Sequence, residues 1–401
     1  MVNEKQNDSD GSSVSEVPAN HKDKDSIRNF ISTLASFSGD LSSLTCPSFL
    51  LSTMSLLEYS QYWGDRPRLL ADIPTGATPE ERLLKCTRWF IATLYSSYGV
   101  RSTNGGIEKK PYNPILGEQF FAKWSDENIG DTTLQAEQVS HHPPIFGFHI
   151  ENKKANIILQ GHCGQKSRFA MPAGVDVSQM GHAILTLSEF NETYLITLPF
   201  LQVRGMITGR PYLELAHSTY IISSAGMYSS IDYSSKGFFS GARNTFKATM
   251  KHLDGETFYV AKGLWSGTST YSNGKKGAEA FPFLDTQEDA PVPPEVQHYD
   301  KMKPIESRRL WAGVTAAINA KDYSSASKEK SKIEESQRAL AKERMEKSET
   351  QADALELFVL VDENYDEYGK AFAVLKEKLV DAAGPKSIKE DENKSHWRLR
   401  T

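Results

Sequence analysis

Residues 132–161 read TTLQAEQVSHHPPIFGFHIENKKANIILQG, and they contain the alternation of polar and apolar side chains on which the fold prediction rests. A period of two residues is typical of β-strands. The first run stops at Pro143 and Pro144, because a proline cannot donate a backbone hydrogen bond to a strand ladder. The second stops at the turn-forming residues Asn-Lys-Lys at 152–154. The stretch therefore predicts three consecutive short strands.

The same period continues in many short runs over residues 119–265, with turn signals such as Asp254-Gly255 between them. No segment of helix length interrupts these runs, so neighbouring strands are expected to be antiparallel. So many strands favour a closed or nearly closed barrel that is wide enough to hold a ligand.

Helical patterns flank the strands. The clearest follows Thr78, which forms a predicted capping box with Glu81 and precedes Pro79 at the first helical position. The stretch 327–348 consists almost wholly of Lys, Glu, Arg, Ser and Ala, which is typical of a solvated helix. The helices are expected at 55–63, 78–99, from about 306, at 327–348 and at 368–383, with a loop after Trp265 and a polar tail after Gly384.

The N-terminal part begins with residues 1–26, which are polar, mixed in charge and expected to be disordered. One amphipathic helix is predicted over residues 27–38, because apolar residues recur there at helical spacing. Two interpretations of its apolar face stay open, namely docking on the core and insertion into a membrane surface. The apolar residues are Ile27, Phe30, Ile31, Leu34 and Phe37.

The composition excludes several classes of protein. A net charge of −5 and a pI near 6.1 provide no basic field for generic nucleic-acid binding. Cys46, Cys86 and Cys163 lie too far apart for a CxxC metal site and suggest a reducing compartment. No signal-peptide core and no long apolar segment are present, so we expect a cytoplasmic protein with at most peripheral membrane contact.

Two adjacent histidines, His141 and His142, follow the strand predicted to end near Val139. Their ring nitrogens and partial protonation near neutral pH suit a phosphate monoester. From the residues alone a structural role, an anion site and a metal site all stay open. Zinc is disfavoured, because the other histidines show no ligand spacing.

The motif EQVSHHPP at 137–144 resembles the fingerprint of the oxysterol-binding protein family. Three further segments are similar to family motifs, and EYSQYW at 58–63 resembles the short fungal members that lack accessory domains. The three segments are KKPYNPILGE at 109–118, KGFFSGARNTFKA at 236–248 and GLWSG at 263–267.

The resemblance implies an α+β fold dominated by β structure, in which a large incomplete antiparallel β-barrel encloses a lipid tunnel. The helix at 27–38 would be a lid over this tunnel. One integrated lipid-binding domain, 27–401, would then comprise an N-terminal helical layer at 39–118, the barrel at 119–265, and a loop with a C-terminal helical subdomain at 266–401.

The resemblance also implies a phosphoinositide headgroup site at the tunnel mouth. There, His141 and His142 would bind the 4-phosphate. The segment KSKIEESQR at 330–338 aligns with a C-terminal helical motif, although its spacing alone also fits an exposed ladder of ion pairs. The implied headgroup residues are Lys110, Asn113, Glu118, His141, His142, Lys330, Glu334 and Arg338.

For the apolar ligand, the resemblance implies tunnel contacts from Trp63, Tyr98 and Gln179, each of which would otherwise pass for ordinary core. Ser97 and Cys163 stand where a sterol-binding relative has amide side chains, Gln and Asn. These two departures weaken the polar end of a sterol hydroxyl site.

The function implied is exchange of sterol and phosphatidylinositol 4-phosphate between membranes, by a monomer with no cofactor and no metal. The membranes would be those of the endoplasmic reticulum, the Golgi or the plasma membrane. The alternatives are a lipid sensor without net transport and a carrier of another second lipid, such as phosphatidylserine. An enzyme is not expected, because the sequence has neither a G-x-S-x-G elbow nor a phosphate-binding loop.

Overall fold

The computed structural model describes residues 48–99, 109–170, 174–205, 212–234, 243–388 and 395–400. The predicted polar tail, the predicted lid helix at 27–38 and Cys46 lie outside these residues. No helix within the described ranges is both long enough and apolar enough to span a membrane.

The N-terminal layer is helical and carries two short parallel strands, β1 and β2. Ser55 forms a full capping box with Glu58 at the start of a 3-10 helix. At Thr78 the box is only half formed, because the Glu81 carboxylate accepts from the Ala77 amide instead. The elements are β1 (Leu51–Ser55), the 3-10 helix Leu56–Trp63, α1 (Pro67–Asp72), the 3-10 turn Ile73–Thr75, α2 (Pro79–Leu94), the π-helix Tyr95–Gly99 and β2 (Lys110–Tyr112).

A 14-stranded sheet follows, and every strand pair in it is antiparallel. Its strands are β3 (Gln119–Trp124), β4 (Thr132–Ser140), β5 (Ile145–Asn152), β6 (Ile157–Ala170), β7 (Gly174–Leu187), β8 (Glu192–Thr197), β9 (Phe200–Arg204), β10 (Tyr212–Ala216), β11 (Ser218–Ser223), β12 (Met227–Ser234), β13 (Thr245–His252), β14 (Thr257–Leu264), β15 (Thr268–Ser272) and β16 (Phe281–Asp285).

The sheet curves without closing. Its order is β16-β15-β14-β13-β12-β11-β8-β7-β6-β5-β4-β3, and the β9–β10 pair is attached to β7. The edge strand β3 does not pair with β16 but makes isolated bridges, through Gln119 to Glu306 and through Lys123 to Glu295. The predicted fold class, an incomplete antiparallel barrel with helices, is confirmed.

The sheet extends further than predicted. Residues after Trp265 were expected to form a loop, but β15 and β16 add a hairpin there. The run TSTYS at 268–272 buries only Ser269, so its alternation lacks the apolar residues that mark a strand in sequence.

Both faces of the central strands are covered. Ala183 and Leu185 point to the inner core, which α2 fills with Leu83 and Phe90. Ile184, between them, points to the outer face and packs in a second cluster with side chains of the C-terminal helix, Phe372, Leu375 and Leu379. Burial on both faces explains the continuous apolar run AIL at 183–185.

The C-terminal part comprises α3 (Ser307–Leu310), α4 (Ala312–Asn319), α5 (Tyr323–Glu346), a 3-10 turn Gln351–Ala354, β17 (Phe358–Asp362), α6 (Glu367–Ala383) and β18 (Ser395–Leu399). The long helix α5 has one buried residue, Ala326, as a solvated helix should. The polar tail predicted after Gly384 instead contains β18, which pairs with β17 and buries His396 and Arg398. This strand was not predicted, because the residues that it buries are polar.

Candidate functional site

The two adjacent histidines lie in the turn between β4 and β5, which covers residues 141–144. Strand β4 ends at Ser140, so the prediction that both rings stand at a strand end is confirmed. Their ring centroids are 4.4 Å apart in an edge-to-face arrangement. His141 is half-buried and His142 is exposed. The turn therefore presents one ring to the protein and the other to the surface.

His141 connects this turn to the second signature. Its Nδ1 lies 3.0 Å from the carbonyl oxygen of Pro114, which can only accept a hydrogen bond. The neutral ring is thereby fixed as the Nδ1–H tautomer, with Nε2 left as an acceptor. Burial lowers the pKa of His141, while the Pro114 carbonyl opposes this effect; the charge of His142 lowers it further and that of Glu334 raises it. The free protein holds His141 neutral at pH 7.

Helix α5 brings the third motif to the same place. Ile333 packs against the cluster that contains Tyr112 of β2, so α5 lies beside the second signature. Lys330 forms an ion pair with Glu334 one turn along the helix, and its side chain is only 13% exposed. Arg338, one turn further, is exposed, and no ion pair joins it to another described residue. Three motifs far apart in sequence therefore surround His141.

Lys110 lies on β2 and Asn113 directly follows that strand, and both are half-buried. They border the loop whose carbonyl at Pro114 binds His141. The backbone thus places Lys110 and Asn113 beside the loop that contacts the histidine turn, as the predicted grouping requires.

Glu118 does not fit the role predicted for it. Its carboxylate is completely buried and accepts four hydrogen bonds: from Ser55 Oγ at 2.5 Å, Ser307 Oγ at 2.7 Å, Trp311 Nε1 at 3.0 Å and the Ile115 amide at 3.1 Å. No lone pair is left for an inositol hydroxyl. Glu118 links β1, α3 and the N-cap of α4 to the signature loop, so its observed contacts are structural.

Sequence reasoning missed the role of Glu137, the first residue of EQVSHHPP. Its buried carboxylate accepts three successive backbone amides, those of Glu356, Leu357 and Phe358, each at 2.9 Å. This contact fixes the segment before β17 behind the histidine turn. A glutamate within a predicted strand was the only signal in the sequence, and the structure places it in the buried run 136–139.

Among the predicted tunnel residues, Cys163 belongs to the inner core of the sheet, and Trp63 and Tyr98 of the helical layer pack against that core. Trp63 stacks on Phe148 with ring centroids 5.4 Å apart, and its indole hydrogen-bonds the buried Cys163 thiol. Burial raises the pKa of Cys163 to about 12, which keeps the thiol neutral. Cys163 therefore behaves as an apolar lining residue.

A polar pair stands close by. Gln179 donates from Nε2 to the hydroxyl of Tyr98 at 2.9 Å and to the carbonyl of Pro199 at 2.8 Å. Ser97 precedes Tyr98 in the π-helix and is half-buried. The structure thus brings Tyr98 and Gln179 together in a position that could meet a ligand hydroxyl, although Ser97 and Cys163 lack amides.

No cluster of three or more His, Cys, Asp or Glu residues in the described part of the chain is arranged to hold a metal ion. The arrangement offers instead an anion site of imidazoles and cations at a turn, next to an apolar interior. That combination suits an amphiphile with a phosphate headgroup.

Comparison with known proteins gives a consistent result. The oxysterol-binding protein family model matches residues 29–381. Protein kes1 of Schizosaccharomyces pombe is 46% identical over 325 residues, which are 80% of this chain and 84% of that protein. Protein KES1 of Mycosarcoma maydis is 43% identical over 355 residues, 86% of this chain and 91% of that protein.

Two solved structures share the fold at low sequence identity. The Osh1 ORD domain in complex with cholesterol superposes with a TM-score of 0.70 at 21% identity, and the match covers 92% of this chain and 85% of that one. The Osh3 ORD in complex with PI(4)P, from Saccharomyces cerevisiae, gives a TM-score of 0.64 at 20% identity, covering 87% and 89%.

Proposed function

The chain belongs to the oxysterol-binding protein family, whose members bind lipids and are not enzymes, and on that premise we propose that it exchanges sterol for phosphatidylinositol 4-phosphate between membranes. One tunnel takes either lipid in turn. The protein acts as a monomer on the cytoplasmic faces of the endoplasmic reticulum, the Golgi or the plasma membrane.

The observation that carries the proposal is the meeting of three motifs at His141. Its ring is bonded to Pro114 of the second signature and feels the charge of Glu334 on α5. A turn, a loop and a helix separated by up to 220 residues thus place imidazole, lysine and arginine side chains in one region of the surface. A phosphate headgroup suits such a grouping.

The chemistry of the site suits a phosphate monoester. Such a group carries about −1.5 to −2 charges at pH 7 and offers strong acceptors. Lys110, Lys330 and Arg338 supply charge-assisted donors, while the histidines add imidazole N–H groups. The Lys330 amine would move from Glu334 to the phosphate, and Glu334 would then orient it or accept an inositol hydroxyl.

Sterol as the second lipid is supported by the inner face. Trp63 and Phe148 provide flat apolar surfaces, and the Tyr98–Gln179 pair provides polar atoms for a single hydroxyl. The ligands bound in the similar Osh structures, cholesterol and PI(4)P, support the same two lipids. Burying a sterol of about 27 carbons gives a gross transfer term of roughly 20 kcal/mol at ~0.8 kcal/mol per carbon, so release requires a membrane.

Exchange follows from a shared tunnel. If the acyl chains of the phosphoinositide and the sterol occupy the same space, their binding is mutually exclusive. The predicted lid at 27–38 would cover the tunnel and rest on lipid when open. No covalent step is needed.

Transfer between two liposome populations tests the proposal. The double variant His141→Ala/His142→Ala should abolish phosphoinositide extraction and spare most sterol binding, whereas Ile31→Asp in the lid should slow both transfers. Lys262→Ala, an exposed change on β14, is the matched control. Sterol transfer that needs neither the lid nor the histidines would refute exchange. Binding without transfer would indicate a sensor, and phosphatidylserine transfer in place of sterol would identify another second lipid.

A further inference from the structure

A cavity of about 910 Å³ lies on the outer face of the sheet. Phe372 of α6 and Leu360 of β17 line one side of it. The opposite side is the sheet itself. The two sides meet where the His182 ring stacks on the Phe372 ring, with centroids 4.2 Å apart. Because Ala183 faces the inner core, its neighbour His182 must face outward. The C-terminal segment therefore roofs a chamber that lies mainly on the outer face of the sheet.

The lining of this chamber combines apolar side chains with hydroxyl, amide, imidazole and lysine groups. Its cationic and imidazole residues are Lys166, Lys386, His142, His162, His182 and His217. Acidic residues outnumber basic ones in the whole chain, 51 to 46, yet the described residues that line the chamber include no Asp and no Glu. The apolar residues include Val139, Ile145, Phe200, Leu360, Phe372 and Trp397.

We propose that this outer chamber is a second ligand site, for an amphiphile with one alkyl chain and an anionic head. A volume of about 910 Å³ is within the range of small-molecule sites, which extends from about 300 to about 1,000 Å³. The aromatic and aliphatic lining would bury the chain, and Lys166 with Lys386 would neutralise a carboxylate or phosphate head. An uncharged amphiphile would leave the lysines without a counter-charge, and a free anion would leave the apolar residues without a contact.

The chamber is distinct from the headgroup site but adjoins it. Lys110, Lys330 and Arg338 do not line it. His142 does, although His141, its neighbour, faces Pro114 and α5. Gln179 contributes to the lining and also binds Tyr98 on the inner face. A ligand in the chamber would therefore contact one residue of each proposed lipid site.

Titration with palmitate tests the proposal, and the full chain with its tunnel saturated with ergosterol is the sample. One palmitate should bind per protein without displacing sterol. Hexadecanol, which has the same chain without the charge, should bind at least about tenfold more weakly. Inorganic phosphate at millimolar concentration should compete poorly, which separates an amphiphile site from a simple anion site.

Charge reversal provides an arm that needs no tunnel ligand. The double variant Lys166→Glu/Lys386→Glu should weaken palmitate binding at least about tenfold. The matched control Lys262→Glu/Lys342→Glu changes two exposed lysines outside the chamber and should leave it unchanged. Thermal melts of both variants establish that they fold. Displacement of palmitate by sterol, equal affinity for hexadecanol, or equal loss in both double variants would each overturn the proposal.

Discussion

Raising the pH from 7.0 to 8.0 should weaken phosphoinositide binding by up to about tenfold, because His141 must gain a proton to donate to the phosphate. The Pro114 carbonyl at 3.0 Å occupies Nδ1–H, so Nε2 of the neutral ring has no hydrogen to give. Burial holds the pKa of the free ring below its usual value, so the ring is neutral over this range. A bound phosphate dianion stabilises the imidazolium and raises that pKa.

One proton is therefore taken up for each headgroup bound. Uptake of one proton gives log K a slope of about −1 against pH, between the pKa of the free ring and that of the complex. The window above pH 7 is chosen because the second pKa of the phosphate lies near 6 and adds no comparable term there. The sign is unambiguous, since a site that gains a proton on binding weakens as protons become scarce.

Calorimetry with dioctanoyl phosphatidylinositol 4-phosphate measures this uptake directly. When the observed binding enthalpy is plotted against the ionisation enthalpy of the buffer, the slope should correspond to about one proton per phosphoinositide bound. His141→Gln places an amide donor near the Nε2 position and cannot titrate, so it should remove that proton and flatten the pH profile. A wild-type affinity that is constant between pH 7.0 and 8.0, with a buffer-independent enthalpy, would refute the reasoning.

Three further changes test individual contacts. Glu137→Ala leaves three backbone amides without their acceptor, so it should lower the free energy of unfolding by about 3 kcal/mol. Hydrogen exchange of the amides at 356–358 should become faster, and unchanged exchange there would contradict the anchoring role. Gln179→Leu should weaken sterol binding about tenfold in a fluorescent sterol titration while leaving phosphoinositide affinity within about twofold. Lys330→Met should reduce phosphoinositide affinity at least about tenfold by calorimetry, whereas Lys262→Met should not, and equal effects would remove Lys330 from the site.

The sheet was largely predictable because buried apolar and exposed polar residues alternate along most of its strands. Runs such as TTLQAEQV and IFGFHIE became β4 and β5 with the turn where Pro143 and Pro144 stand. Helix α2 was predictable because Thr78 and Pro79 mark its start. Strands β15 and β18 were missed, since their buried residues, Ser269, His396 and Arg398, are polar.

The candidate site was predictable in position but not in every role. The histidine turn and α5 approach each other as the resemblance implied. The Glu118 carboxylate, however, is buried and accepts four hydrogen bonds, from residues 55, 115, 307 and 311. Periodicity cannot reveal such a network, because its partners are up to 193 residues away. The same holds for Glu137, whose three amides lie at 356–358.

The outer chamber could not be predicted at all from sequence patterns. It exists because α6 and the β17–β18 pair cover strands that a simple barrel would expose to solvent. Lys166 and Lys386, which lie 220 positions apart, meet one cavity only after that cover has folded.

Stoichiometric displacement tests the central claim, a single tunnel for two lipids, most directly. The protein is loaded with one fluorescent sterol per chain and titrated with dioctanoyl phosphatidylinositol 4-phosphate in the absence of membranes, with a sterol acceptor such as cyclodextrin in the buffer. The account predicts that each phosphoinositide bound releases one sterol. A ternary complex that holds both lipids at once would contradict it.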